Sequence, residues 1–206
     1  MTIDLLAFFR AIEGLKRTPR TGWLDRGIPP AEVESVADHT LLTALLAWTC
    51  ALDDPTLDAD RVLKLAIVHD IAEAIAGDIP PYAPEDIPDG SDPDALHAFF
   101  SVRRKASPEA EAEKHAAEQA AAAALFAMLP ERVAKEMRSL WDEYESRATP
   151  EAQFVKDVDR LEAFLQSRSY AMAHPEVPLE GFTDMALQAI EHPALRAIRD
   201  RELERF

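Results

Sequence analysis

The sequence predicts an all-α fold, and three observations support that prediction. The apolar fraction is 48%, and Ala and Leu, which favour helices, dominate it. Apolar residues recur at helical spacing in most segments. Helix-capping signals stand where those segments begin and end. A chain of 206 residues can bury a full hydrophobic core, and because we find no internal repeat or domain boundary, we expect residues 1–206 to form a single domain.

The first predicted helix covers residues 2–16, where charged side chains alternate with apolar ones. This amphipathic pattern differs from that of a signal peptide. A proline-rich connector follows the helix and carries a cluster of three arginines, Arg17, Arg20 and Arg26.

Two capping signals define the next two predicted helices. Ser35 and Asp38 match a capping box, which predicts a helix that begins one residue after Ser35 and has His39 in its first turn. A helix over 61–76 should follow, with Gly77 just past its end.

The second half of the chain contains a predicted loop and further helices. Prolines, glycines and acids are frequent over 83–110, so we expect a long surface loop there, with a short helix at 94–105. Loops of this length are often lids or binding segments. The remaining predicted helices cover 107–129, 130–148, 149–172 and about 183–203.

The charge balance argues against one class of function. Lys and Arg number 22 and Asp and Glu 38, so the formal net charge is −16. A chain so negative is repelled by a phosphate backbone, and we therefore predict no extended nucleic-acid binding. An anionic small substrate would need a local cationic group.

Cysteine content and hydropathy indicate a location. Cys50 is the only cysteine, so no intrachain disulfide can form and a thiolate zinc cluster is excluded. No apolar run reaches the roughly 18 to 20 residues that a membrane span requires. These features predict a soluble, cytoplasmic protein without a membrane partner.

The stretch VLKLAIVHDIAEAIAGDIP, from residue 62, contains an imidazole and two carboxylates inside an apolar run, and Lys64 points the other way. Wound as an α-helix, it places His69, Asp70 and Glu73 within an arc of roughly 100°. A solvated helix face normally mixes Lys, Arg, Glu and Gln across its width. These groups therefore need partners on a buried helix, and a metal ion would be one.

Two further residues complete a candidate ligand set. His39 and an acid of the segment KDVDRLE add a second imidazole and a second carboxylate. Such a mixed nitrogen and oxygen set suits a divalent metal and leaves positions for water and substrate. The acid is Asp157 or Asp159, and helical periodicity alone favours Asp157, which lies nearer the apolar side of its helix.

The order H…HD…D resembles the HD-domain superfamily of metal-dependent phosphohydrolases, whose fold is a helical bundle. The flanking segments LKRTPRTGW, ESVADH, LAIVHDIAEAIAGDIP and FVKDVDRLEAFLQ resemble the branch with bacterial 5′-deoxynucleotidases and the eukaryotic HD-domain proteins similar to them. The resemblance covers roughly residues 5–170, the loop at 83–110 excepted. It implies an HD-domain bundle and a homodimer.

The resemblance also implies a ligand set. In the family, a basic residue stands three positions before the ligand acid and often a Glu three after it, which fits Lys156 and Glu162 around Asp159. The implied metal ligands are therefore His39, His69, Asp70 and Asp159. They would hold one divalent ion per chain, which can be Co, Mn, Mg, Fe, Ni or Zn.

Four other residues acquire roles from the same resemblance. Glu73 matches the HDxxE acid beside the reactive water, so it would orient that water or move a proton. Asp78 matches a position close to the substrate, where it would accept a hydrogen bond from a sugar hydroxyl or assist proton transfer. Arg17 matches the arginine that contacts the phosphate, and Arg20 is a weaker companion.

One departure from the family pattern concerns the sugar. The bacterial deoxynucleotidases have an aromatic residue directly after that arginine, whereas this chain has Thr18, and Trp23 follows later as in the eukaryotic-like branch. A preference for deoxyribose over ribose therefore does not follow from the resemblance.

The implied activity is a 5′-nucleotidase that hydrolyses (deoxy)ribonucleoside 5′-monophosphates by a metal-activated water. One alternative is an HD hydrolase of another nucleotide phosphoester, either an alarmone or a deoxynucleoside triphosphate. Such an enzyme usually needs more basic residues than this chain offers. A second alternative is a non-catalytic module with a structural metal.

Overall fold

The structure is a computed structural model that describes residues 5–205. It is all-α, as predicted, with eleven helices and no strand in this part of the chain. The helices are α1 Leu5–Ile12, α2 Thr21–Leu24, α3 Val36–Leu52, α4 Ala59–Val68, α5 Glu73–Ala76, α6 Pro93–Phe100, α7 Pro108–Phe126, α8 Glu131–Ser146, α9 Pro150–Ala173, α10 Glu180–Ala189 and α11 Pro193–Leu203. None of these helices is both long and apolar enough to cross a membrane.

The chain divides into two compact units. The first contains the chain up to Arg20, residues 34–79 and residues 114–156, and the second contains residues 21–33, residues 80–113 and the chain from Asp157 onward. In the first unit α3 packs on α4 and α4 on α8, while α1 packs on α5. Helices α7 and α9 each contribute residues to both units.

The start of α3 follows the predicted capping box. The Ser35 hydroxyl accepts the Asp38 amide at 3.2 Å, and the Asp38 carboxylate accepts the Ser35 amide at 2.9 Å. His39 is fully buried in the first turn. The connector pairs with this helix start, because the Thr18 carbonyl accepts the Val36 amide at 2.9 Å. The connector arginines next to Thr18 are thereby held beside α3.

The helix predicted over 61–76 is interrupted, so this prediction is wrong at its centre. Helix α4 ends at Val68, and α5 begins at Glu73. Between them the amides bond three residues back, with Glu73 donating to the Asp70 carbonyl at 3.0 Å. The His69 ring contacts the Ala66 carbonyl, which a continuous helix would pair with the Asp70 amide. The side chain thus competes with the helix for one acceptor.

The N-terminal prediction is confirmed only in part. Residues 2–4 lie outside the described residues. Helix α1 ends at Ile12, and Glu13–Lys16 forms a 3₁₀ turn. Gly77 does end α5, with φ of 78°, a backbone conformation that favours glycine.

The second unit has its own core. Trp23 is buried with Ile28 and Tyr170, and it stacks on Phe182 with ring centroids 4.1 Å apart. Within the predicted loop at 83–110, the structure contains a 3₁₀ turn, Pro84–Asp86, and helix α6, whose Phe100 is buried.

The single helix predicted near 183–203 is in fact two helices. Helix α10 ends at Ala189, and α11 begins at Pro193. Proline lacks an amide donor and clashes with the preceding turn, so it starts a helix more readily than it continues one. The sequence prediction gave too little weight to this proline.

Gly14 permits a close contact between the first 3₁₀ turn and α5. A Cβ at residue 14 would lie 2.7 Å from the Ala74 carbonyl oxygen. We expect Gly14→Ala to lower the free energy of unfolding by about 1–3 kcal/mol, because backbone must move to make room. Gly90→Ala is the matched control, since a Cβ there meets nothing within 4 Å. Urea unfolding of both variants checks this, and equal midpoints would contradict it.

Candidate metal centre

Three ligand atoms converge in the first unit. The Nε2 atoms of His39 and His69 lie 3.3 Å apart, and the Asp70 Oδ2 atom lies 3.1 Å from the His69 Nε2 and 3.6 Å from the His39 Nε2. Ligand atoms that share one ion at 2.0–2.2 Å are separated by about 3 to 3.6 Å. This arrangement therefore fits a divalent metal, as two imidazoles and a carboxylate should.

The local backbone sets the tautomer of His69. Its Nδ1 donates to the Ala66 carbonyl at 2.7 Å, which leaves the lone pair on Nε2. The Tyr144 ring stands edge-on against the imidazole, with centroids 5.4 Å apart. The Lys156 ammonium donates to the Tyr144 hydroxyl at 3.2 Å. Tyr144 carries no sequence signal for this site, because the contact joins helices that are distant in the sequence.

Asp70 is held in the charged form that binds metals. Burial raises the pKa of its carboxyl, but the neighbouring His69, Arg20 and His39 outweigh burial and keep this pKa well below its usual range. Both imidazoles are buried. Two buried imidazoles with a carboxylate beside them need a cation or hydrogen-bond partners to compensate for lost hydration.

Arg20 lies among the carboxylates. One guanidinium nitrogen, Nη1, is 3.1 Å from Asp78, 3.4 Å from Asp70 and 3.9 Å from Glu73. The side chain of Arg17, by contrast, is exposed and makes no ion pair or hydrogen bond with any described residue. The structure therefore places Arg20 among the carboxylates of this site, while the phosphate contact predicted for Arg17 stays a prediction.

Glu73 is a deeply buried acid next to the ligands. Its side chain is 4% exposed, and its Oε2 atom receives no hydrogen bond from the described residues. Burial, followed by the charges of Asp70 and Asp78, raises the pKa of its carboxyl well above the ordinary value, although Arg20 and Lys114 partly oppose this. A carboxyl of raised pKa can hold or accept a proton near neutral pH.

Helix α7 adds two residues that sequence analysis left out of the site. The Lys114 ammonium donates to the Ile79 carbonyl at 3.0 Å and lies 3.4 Å from Glu118. Burial lowers the pKa of Lys114, but the charges of Glu118 and Glu73 raise it more. The signal in the sequence was an i, i+4 Lys–Glu pair on an alanine-rich helix, which is also common at surfaces.

Asp157 and Asp159 differ in their surroundings within the second unit. Asp157 accepts the amides of Glu191 and His192, each at 2.8 Å, and the Arg160 guanidinium at 3.0 Å. Both of its carboxylate oxygens thus have structural partners, Oδ2 at the entry to α11 and Oδ1 on α9. Asp159 is half-buried on the same helix.

Two further residues from the sequence argument have structural partners. Trp23 belongs to the core of the second unit. The Thr18 hydroxyl donates to the Gly14 carbonyl at 3.1 Å, so this side chain helps to hold the connector on the preceding 3₁₀ turn.

Comparisons with known proteins identify a family and relatives that this chain resembles. A sequence profile described as HD domain matches residues 12–195. The human protein named 5′-deoxynucleotidase HDDC2 is 36% identical over 204 residues, which cover 98% of this chain and 86% of that protein. The Schizosaccharomyces pombe protein named 5′-deoxynucleotidase hdd1 is 36% identical, with 95% of this chain and 86% of that protein covered.

Solved structures show the same fold. A predicted metal-dependent phosphohydrolase from Magnetospirillum magnetotacticum superposes with a TM-score of 0.64 at 26% identity, covering 97% of this chain and 89% of that chain. A conserved hypothetical protein from Pyrococcus furiosus gives 0.65 at 25% identity, covering 98% and 99%. Because the profile spans most of the sequence and the relatives exceed 30% identity over nearly all of it, the chain belongs to the HD domain family.

Proposed function

We propose that the chain is a metal-dependent 5′-nucleotidase that hydrolyses (deoxy)ribonucleoside 5′-monophosphates to nucleoside and phosphate. The observation that carries this proposal is the convergence of His39, His69 and Asp70 beside Glu73 and Arg20. It combines a metal-ligand set, a buried acid and a planar cation within one unit. The names of the human and yeast relatives, both 5′-deoxynucleotidases, support the same activity.

The proposed cofactor is one divalent ion, drawn from Co, Mn, Mg, Fe, Ni and Zn. His39, His69 and Asp70 would hold it, with Asp159 as a fourth ligand on the ground of the family pattern. Asp157 is the weaker choice, because both of its oxygens already accept hydrogen bonds. A bound divalent ion supplies a water of lowered pKa and polarises a phosphoryl oxygen.

The other residues divide the remaining tasks. Glu73 would orient the attacking water and take its proton through Oε2, which receives no hydrogen bond from any donor among residues 5–205. Arg17 would contact the phosphate, as the family pattern implies, with Arg20 as its companion, since a guanidinium matches phosphate oxygens as a fork. Asp78, 3.1 Å from Arg20, would hold the Arg20 guanidinium and accept a hydrogen bond from the sugar.

Charge at the site favours monophosphates over longer phosphate chains. Four carboxylates surround two cations there: Asp70, Glu73, Asp78 and Glu118 around Arg20 and Lys114. The proposed ion adds two positive charges, and each further phosphate would need side-chain cations beyond Arg20 and Lys114. The alternative activities on an alarmone or a deoxynucleoside triphosphate therefore have less support.

The activity is tested by phosphate release from ribo- and deoxyribonucleoside 5′-mono-, di- and triphosphates. The protein is stripped with a chelator and refilled with each divalent metal in turn. We expect metal-dependent release from monophosphates, and a rate about 10²-fold lower for Glu73→Gln at unchanged metal content. Full activity of Glu73→Gln would refute its role. If no nucleotide releases phosphate although the metal is still tightly bound, the structural-metal module would be favoured.

The ligand assignment is tested by metal content. We expect Asp159→Asn to lower the bound metal per chain, as His69→Ala should, because a ligand is lost. Asp157→Asn should instead keep the metal and lose about 1–3 kcal/mol of stability, since two amides and a guanidinium lose a charged acceptor. Elemental analysis and urea unfolding of both variants distinguish the two acids. Loss of metal only in Asp157→Asn would reverse the assignment.

We also propose a homodimer, in line with the family. Four exposed apolar residues at helical spacing form a stripe on α3, namely Leu41, Leu45, Trp48 and Leu52. Residues 40–52 carry no charge in a chain of net charge −16, so copies can meet there with little repulsion.

We propose that the chain does not bind nucleic acid, because its net charge of −16 is repelled by a phosphate backbone. We also propose a cytoplasmic location, which the single cysteine supports.

The dimer is tested by the mass in solution from light scattering. Leu45→Glu places a charge in the stripe, and we expect it to shift the protein towards a monomer. Leu187→Glu is the control, because Leu187 is similarly exposed, at 52% against 48%, but lies on α10. A monomeric wild type at tens of micromolar, or dissociation by the control alone, would contradict the proposal.

A further inference from the structure

We propose that Lys114 is a positioning residue of the active site, which fixes Asp78 by holding the backbone carbonyl of Ile79. Glu118 is the counter-ion that keeps the ammonium in place. The inference goes beyond the metal ligands and the acid described above, and its kinetic readout rests on the proposed function.

The segment around Asp78 needs a contact from outside its own backbone. Gly77 has a positive φ and allows wide rotation at this point. The next residues after Ile79 are Pro80 and Pro81, which have no amide donor. Few amide donors are thus available within this short segment to hold its backbone by hydrogen bonds. A side chain from a rigid helix can fix the segment instead.

Lys114 provides that contact from a long helix. Its ammonium reaches the Ile79 carbonyl, 35 residues earlier in the chain, at 3.0 Å. Helix α7 spans 19 residues, so the base of the lysine side chain is firmly placed. Glu118, one turn later, lies 3.4 Å from the ammonium and is only 11% exposed at its side chain. The Lys114 side chain is 37% exposed, but its ammonium is restrained by the hydrogen bond to the carbonyl and by the charge of the buried carboxylate.

Asp78 is therefore held in two ways. Arg20 donates to its carboxylate at 3.1 Å, and Lys114 holds the carbonyl of the next residue. Removal of the ammonium would leave the Ile79 carbonyl without this donor and Glu118 without its counter-ion. Both losses would loosen the backbone next to Asp78 while the His39, His69 and Asp70 cluster stays intact.

A double-mutant cycle tests whether Lys114 acts through Asp78. The variants are Lys114→Met, Asp78→Asn and the double variant, with Lys135→Met as control because Lys135 is an exposed lysine on α8. We expect Lys114→Met to lower kcat about 10-fold or more at unchanged metal content, since small displacements at a site are costly. In the Asp78→Asn background the same change should cost less than about two-fold. Independent, multiplicative effects would overturn the proposal.

Two further variants separate positioning from a general effect on folding. Lys114→Arg keeps the charge and should retain most of the wild-type kcat. Glu118→Gln should also lower kcat, but by a smaller factor than Lys114→Met. If Lys114→Met raises KM alone and leaves kcat unchanged, the lysine contacts substrate and the positioning role is wrong.

Hydrogen exchange gives a readout that needs no turnover. We expect the peptide covering residues 74–82 to exchange faster in Lys114→Met than in the wild type or Lys135→Met, with exchange in α3 unchanged. Unchanged exchange in this peptide would overturn the inference. A wild type without phosphatase activity would refute the proposed function alone, and the exchange result would still decide whether Lys114 holds the segment.

Discussion

The contact between the His69 ring and the Ala66 carbonyl is the interaction on which the rest of the site depends. It occupies the acceptor that would continue α4, and so the helix ends where the metal-ligand residues begin. The same contact directs the His69 lone pair towards His39 and Asp70. One hydrogen bond thus determines both where the helix breaks and which nitrogen of His69 faces the ligand cluster.

Electrostatics within the first unit explains why so many acids can lie together. Arg20 is shared by three carboxylates, and Lys114 stands by a fourth. The cations lower the cost of burying these carboxylates without neutralising the site completely. The pKa of Glu73 is raised, because burial and the charges of two neighbouring carboxylates outweigh the opposing charges of Arg20 and Lys114. The arrangement thus places Glu73, an acid of raised pKa, beside Asp70, whose pKa is held low.

The sequence was most informative about helix ends that are marked by a local capping motif. The capping box at Ser35 predicted the start of α3, and Gly77 predicted the end of α5. The interruption after Val68 was missed, because helical periodicity treats the chain as a regular spiral and His69 competes for a backbone acceptor. The start of α11 was missed for a simpler reason, since Pro193 marks a boundary that the hydrophobic pattern passes over.

By itself, the sequence determined the helical class, the family and the residue types that can hold a metal, because these follow from composition and short motifs. Only the tertiary structure decided which charged residues meet. It brought Arg20 to the carboxylates and left Arg17 exposed, it gave Asp157 structural partners, and it carried Lys114 to Ile79. Contacts between residues far apart in the chain depend on how helices pack, and a one-dimensional pattern does not contain that information.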